Sequence, residues 1–411
     1  MDSNILKYRV IWIGVLISNL CFTLILPFIP LYLINLGIKE NIEVWSSFIV
    51  IASYIGATIS SPIWGALSDK FGHKTMIVRA GLANGIIYIL CAFVQGPVQL
   101  IILRVLYGLN SGFMPAANAI VTEMSSKEDV GKRISSLQNA VLGGQLLGPL
   151  AGGILSSLTT ISMSFFIAGL AMVLNTIMII ILIENSKKNY NKNTSKKSIK
   201  KYITGSFEYP ELKNFLFIVF LFQVTAGMIF PILSTYIMDI KIEHIFRILT
   251  TYLFKDDMYS FLTGLIFSIP GILAFFAIKR WSNRGEKKGY YSNLKVGLLM
   301  TSICFFFTPI LPSFLFLIVL RGVQGIFSAS IIPALSTLMA QNVGEENRGT
   351  AFSLFNSIRS LGSIVGPLLG GGIAFLVGNY GVFIGGGIIL FIAFMFTLIT
   401  QKKKIDELAS E

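Results

Sequence analysis

The sequence predicts an all-α membrane protein with twelve transmembrane helices in two six-helix pseudo-symmetric halves. Three observations carry this. Hydrophobic residues make up 54% of the 411 and charged residues only 13%, about half the charged share of a soluble domain. Apolar stretches long enough to cross a bilayer, about 20 residues each, recur along the whole chain. Short segments of the first half also return in the second.

The predicted spans are 10–36, 45–66, 75–95, 98–122, 134–157, 162–183, 212–238, 259–278, 292–310, 313–340, 351–376 and 381–400. The connections after spans 3, 5, 9 and 11 are so short that those pairs must be hairpins. The first span is too long for a secretory leader and lacks a small-residue cleavage site after it, so it reads as a retained helix. Residues 184–211 are polar and lysine-rich. They divide the chain into a first half, 1–183, a linker, and a second half, 212–411. Asn193 opens a glycosylation sequon by pattern alone, in a segment expected to face the cytosol.

The net charge of +13 does not indicate nucleic-acid binding, because the basic residues sit in short loops rather than on one domain. With the N-terminus inside, 26 Lys/Arg fall on inner segments and 4 (Lys39, Lys241, Arg247, Lys255) on outer ones. The positive-inside rule therefore puts both termini in the cytoplasm. Contact with anionic lipid headgroups is a second use for the lysine-rich linker. A composition rich in Ile, Lys and Asn points to a bacterial cell membrane. Cys21, Cys91 and Cys304 lie far apart in apolar runs, with neither disulfide nor metal spacing.

Pro27 and Tyr32 of span 1 return as Pro231 and Tyr236 of span 7, an offset of 204. Arg104 and Gly108 of span 4 return as Arg321 and Gly325 at 217, and GQLLGPLAGG (144–153) returns as GSIVGPLLGG (362–371) at 218. The turn GALSDKFGHK (65–74) has a weaker echo at 213, where Gly72 and Lys74 match Gly285 and Lys287 while Asp69 meets Ser282. On that alignment about nine extra residues sit in the outer loop 240–258. The apolar residues of this loop recur at helical spacing, as in an interfacial helix; an irregular surface loop fits as well.

On these motifs the chain resembles the major facilitator superfamily, within its twelve-helix drug:proton antiporter group, over nearly its whole length. The turn after span 2 matches the group's pattern at Gly65, Leu67, Asp69, Lys70, Gly72 and Lys74, with His73 departing from a usual arginine. The span 4 pattern is matched by Arg104 and Gly108. The span 5 antiporter pattern is matched by Gly144, Gly148, Pro149, Gly152 and Gly153, and is repeated at Gly362, Gly366 and Pro367. The resemblance implies an alternating-access exporter with its site between the halves, working by proton antiport. It implies that Asp69 locks the inner gate against the N-terminal end of the span 11 helix, and that Glu123 stands beside His73. It gives Arg104 a part in proton coupling.

Arg321 is the repeat mate of Arg104; for both, a structural ion pair or snorkelling to the interface is the competing reading. Arg359 has no mate and is expected to pair with Asp69 or Glu123. The glycine-proline segments would let helices approach closely and bend at proline, and are expected to contact spans 8 and 2.

All twenty Asp and Glu lie in loops or at helix ends. A cavity for a lipophilic cation would want a carboxylate, so the cargo tilts toward neutral, zwitterionic or anionic molecules. Polar candidates for the cavity lining are Asn19, Tyr32, Tyr54, Asn118, Gln138, Gln145, Gln223, Tyr236, Gln324 and Asn356, although helix–helix hydrogen bonds would use the same residues. No catalytic, metal or cofactor set is present, and GHKT at 72–75 lacks the glycines of a phosphate loop. The chain is expected to be a monomeric, non-enzymatic transporter of drugs or amphipathic molecules. A dedicated exporter of a metallophore, siderophore or other small polar metabolite is the alternative. A proton entering down about 100 mV supplies ~2.3 kcal/mol, and one pH unit adds ~1.4.

Overall fold

The computed structural model describes residues 3–126, 129–183, 210–253, 258–344 and 348–410. The linker expected at 184–211 lies outside these except for Pro210 and Glu211, which open a helix. Among the described residues, eleven helices or helix pairs are long and apolar enough to cross a membrane. The twelfth predicted span is Tyr290–Phe307, 18 residues beginning with the polar YYSNLK. The all-α membrane architecture is as the hydropathy pattern requires.

The chain divides into two compact units, Met1–Lys192 with Ile245–Ser268, and Asn193–His244 with Ile269–Glu411. The first contains α1 (Ser3–Ile25), α2 (Ile29–Asn35), α3 (Ile42–Phe71), α4 (His73–Cys91), α5 (Pro97–Leu109), α6 (Phe113–Glu123), α7 (Val130–Leu158) and α8 (Ile161–Leu182). The second contains α9 (Pro210–Met228) and α10 (Leu233–Asp239). Next in the chain come α11 (His244–Leu253) and α12 (Met258–Lys288), and then, again in the second unit, α13 (Tyr290–Phe307), α14 (Phe314–Ser328), α15 (Ile331–Asn342), α16 (Arg348–Val377) and α17 (Asn379–Ser410). The division falls inside α12, just before Pro270. The loop helix α11 is strongly amphipathic, with Ile245 and Ile248 exposed.

Four predicted spans are broken helices rather than continuous ones. Span 1 breaks in a 3₁₀ turn at Leu26–Phe28 and span 7 at 229–232, around Pro27 and Pro231. A proline lacks an N–H and crowds the carbonyl four residues back. Span 4 breaks at 110–112, where Gly112 takes φ +120°, and span 10 breaks at 329–330. A break in a membrane strands carbonyls that must find other donors. In span 4 they do: Ser60 Oγ donates to Gly108 O (3.2 Å), Trp64 Nε1 to Leu109 O (2.6 Å) and Arg79 Nη2 to Ser111 O (2.7 Å). The Arg79 guanidinium also lies over the Trp64 ring at 3.2 Å.

The repeat reaches into these contacts. Trp281 Nε1 donates to Ile326 O at 2.7 Å, the bond of Trp64 moved by 217. Tyr32 Oη donates to Cys91 O (2.9 Å) and Tyr236 Oη to Thr308 O (3.0 Å). The turn echo is corrected by the backbone. Gly72 (φ +91°) ends α3 with its N–H on Ser68 O, and Gly289 (φ +82°) ends α12 with its N–H on Gly285 O. The match is therefore Gly72 with Gly289, at 217 rather than 213, and Asp69 corresponds to Glu286 rather than Ser282. The outer loop holds thirteen extra residues, not nine. Identical letters misled the alignment because Gly285 lies within a helix; the residue that must match is the one needing a left-handed backbone.

Candidate functional site

The turn between spans 2 and 3 is tighter than a loop. Helix α3 runs to Phe71 and α4 starts at His73, with only Gly72 between. Gly65, Asp69 and Lys70 are thus helical; the side chain of Asp69 lies outside the described residues. Lys70 is exposed, and Lys74 Nζ donates to Ile180 O at 2.9 Å, near the C-terminal end of α8 where a cation is favoured. His73 is held from both sides: Nδ1 meets Ser68 Oγ at 2.7 Å and Nε2 meets Glu123 Oε1 at 3.2 Å. Glu123 is the last residue of α6, where the helix dipole repels an anion, so the contact with His73 offsets an unfavourable placement.

Arg104 is fully buried in the first unit. Its Nη1 donates to Tyr88 Oη at 3.2 Å, and Tyr88 and Phe165 lie 5.3 and 5.6 Å from the guanidinium carbon. Tyr88 in turn donates to Phe22 O at 3.3 Å. In the second unit Arg321 is also buried, and its Nη1 donates to Gln324 Oε1 at 2.6 Å. Gln324 is thereby occupied by the arginine. Arg359 on α16 leaves Nε without a partner. Its expected partner Asp69 lies outside the described side chains, and Glu123 meets His73 instead.

A Cβ on Gly144 would stand 2.7 Å from Leu16 O, one on Gly148 2.8 Å from Leu20 O, and one on Gly152 2.7 Å from Phe28 Cε2. These glycines seat α7 on α1 and its 3₁₀ turn. Gly153, with its Cβ position 2.9 Å from Gly264 Cα, and the Pro149 carbonyl meet α12, which is the expected span 8. In the second unit the Cβ positions of Gly362, Gly366 and Gly370 stand 2.8 Å from Gln223 Cβ, 2.9 Å from Gly227 Cα and 2.8 Å from Met228 Cα. That stripe seats α16 on α9. Pro367 lies against Gly227. Both α7 and α16 run through their prolines as single helices.

The polar candidates separate into two groups. Tyr32 and Tyr236 are buried struts whose hydroxyls are taken up as described above. Asn19 Nδ2 bonds back to Val15 O (2.9 Å), and Gln223 Nε2 donates to Ser363 Oγ (3.1 Å). Tyr54 is half-buried against Phe22, and Asn118 keeps a buried Oδ1 without a partner. Gln138 and Gln145, seven apart on α7, are exposed, as is Asn356 on α16 beside exposed Ser357 and Ser360. Missed from the sequence were Trp64, Arg79 and Trp281. Their signal was a tryptophan on each repeat at the same offset as Arg104 and Arg321.

A model of the Major Facilitator Superfamily matches residues 11–294 and 215–410. Over 380 residues the chain is 30% identical to the multidrug resistance protein MdtG of Proteus mirabilis, spanning 90% of this chain and 89% of that protein. To MdtG of Klebsiella pneumoniae it is 30% identical over 400 residues, 96% of this chain and 93% of that one. A bacterial homologue of the human lysosomal transporter Spinster, solved in an inward-facing, unoccupied conformation, has the same fold: TM-score 0.77 at 12% identity, covering 98% of each chain.

Proposed function

The chain belongs to the Major Facilitator Superfamily, and from this we propose that it is a secondary efflux transporter, carrying small amphipathic molecules or drugs out of the cell by alternating access in exchange for protons. The observation that carries the reading is the exposure of polar side chains within the spans, with Gln145 midway along α7 and Gln138 and Asn356 nearer the inner ends. Gln138, Gln145 and Asn356 are exposed where an ordinary membrane helix presents only apolar residues to lipid. Such groups are tolerated where they line water, which is what a cargo path requires. The export direction is supported by the likeness to multidrug resistance proteins along nine-tenths of the chain or more. We place the protein as a monomer in a bacterial cell membrane, with both termini cytoplasmic, on the distribution of its basic residues.

Within this reading Asp69, Lys70 and Lys74 belong to the inner gate, and Arg104, Arg321 and Arg359 to coupling. His73, held between Ser68 Oγ and Glu123 Oε1, belongs to the same gate.

The function itself is tested in everted vesicles with an imposed acid-inside gradient, by asking which of a panel of lipophilic cations and anionic chelators dissipates it only when the transporter is present. Release by several unrelated compounds supports the drug exporter. Release by a single anionic or zwitterionic class supports a dedicated exporter of a polar metabolite such as a metallophore. That second reading is favoured by the lack of any Asp or Glu deep within a span. No response to any compound overturns proton-coupled efflux.

A further inference from the structure

The environment of Arg104 identifies a cargo class, an inference that rests on the efflux reading. The Arg104 side chain is 0% exposed. Nη1 is taken by Tyr88, while Nε and Nη2 have no partner. Those two nitrogens form one edge of the planar guanidinium, the edge that accepts the two oxygens of a carboxylate side by side. A complete bidentate edge is thus unused in a place where an unpaired charge is costly.

The spans cannot supply the missing anion, since every Asp and Glu lies in a loop or at a helix end. The repeat mate sharpens the contrast. Arg321 is served by Gln324, three residues on, within its own helix. The equivalent position in the first unit is Tyr107, an aromatic ring that lies 5.1 Å from Tyr88 and stacks on Phe22 at 5.7 Å. Each arginine spends Nη1 on one side chain, Tyr88 in the first unit and Gln324 in the second, and each leaves Nε without a partner; Arg104 leaves Nη2 without one as well. Tyr107 and, through Phe22 at 6.2 Å, Tyr54 extend this ring cluster from Tyr88, and both are half-buried in their unit.

We propose that Arg104 receives the carboxylate of an amphipathic anionic cargo, with the rings of Tyr54, Tyr88, Tyr107 and Phe165 taking up its apolar body. An anion leaving a cell that is negative inside moves down the electrical gradient. Such cargo suits a chain with no carboxylate deep in its spans to pair with a cation.

The test measures calorimetric binding of 1-naphthylacetate, its methyl ester and 1-naphthylethylamine to the full-length protein in detergent, in a carboxylate-free buffer with methanesulfonate as the anion. The carboxylate should bind at least about ten-fold more tightly than the ester or the amine. Arg104→Gln should bring that ratio to within about two-fold. Arg104→Lys, which keeps the charge but not the fork, should lose part of the preference, and it decides the matter if the glutamine variant does not fold. Equal binding of all three compounds by the wild type overturns the proposal. So does a preference that both variants retain in full. Suppression of the preference when chloride replaces methanesulfonate overturns it too, since an inorganic ion would then be the partner. Binding without transport of any compound in everted vesicles would end the efflux reading and leave the anion site standing. Transport of cations with no carboxylate preference would do the reverse.

Discussion

Replacing Gly152 with valine is expected to yield almost no folded protein. A Cβ there would collide with the Leu24 carbonyl and stand 2.7 Å from Phe28 Cε2. The obstacle includes backbone, so no rotamer relieves it, and overpacking of this kind costs about 1–3 kcal/mol or more. The same collapse is expected for Gly370→Val, where the Met228 carbonyl and Cα, the latter at 2.8 Å, occupy the space. Two residues on, Gly372 meets nothing within 4 Å, and Gly372→Ala should be neutral or stabilising by roughly 0.5–1 kcal/mol. The yield of monodisperse protein and its thermal midpoint separate these cases. A Gly152→Val protein melting within a degree of wild type would show that the stripe is not the α1–α7 seam.

The second large effect is expected at Trp64. Its indole N–H is the donor for Leu109 O at the break in span 4, and its ring carries the Arg79 guanidinium. Trp64→Phe keeps an aromatic ring but strands a carbonyl in a membrane interior, at a cost of about 1–3 kcal/mol. Trp281→Phe removes the matching bond to Ile326 O, which is exposed where the Trp64 bond is part-buried, and should cost less. Denaturant unfolding of both variants, with hydrogen exchange read at residues 109–112, checks the order. A larger loss at Trp281, or unaltered exchange at the span 4 break, would contradict it.

Particular residues show why some of this was legible and some was not. The 3.6-residue pattern and the long apolar runs are local properties, so the helices, their hairpins and the glycine spacing on α7 and α16 could be read directly. Gly72 was legible as a turn because only its own backbone angle had to be inferred. Its repeat mate was misassigned because Gly285 offers the same letter without the same conformation. The breaks at 26–28 and 110–112 were missed although Pro27 and Gly112 were in plain view. A proline or glycine breaks a membrane helix only where side chains from other helices take up the freed carbonyls, and Ser60, Trp64 and Arg79 come from elsewhere in the chain.

The sequence by itself determined that this is a twelve-span, internally repeated membrane protein with positively charged loops and no carboxylate deep in its spans, because composition and periodicity are summed along the chain. Tertiary structure alone decided which helix each glycine stripe faces, which buried arginine meets an amide and which a tyrosine hydroxyl, and where Tyr32 and Tyr236 spend their hydroxyls. Each of these depends on distances of a few ångströms between residues tens to hundreds of positions apart, and such distances exist only once the helices have packed.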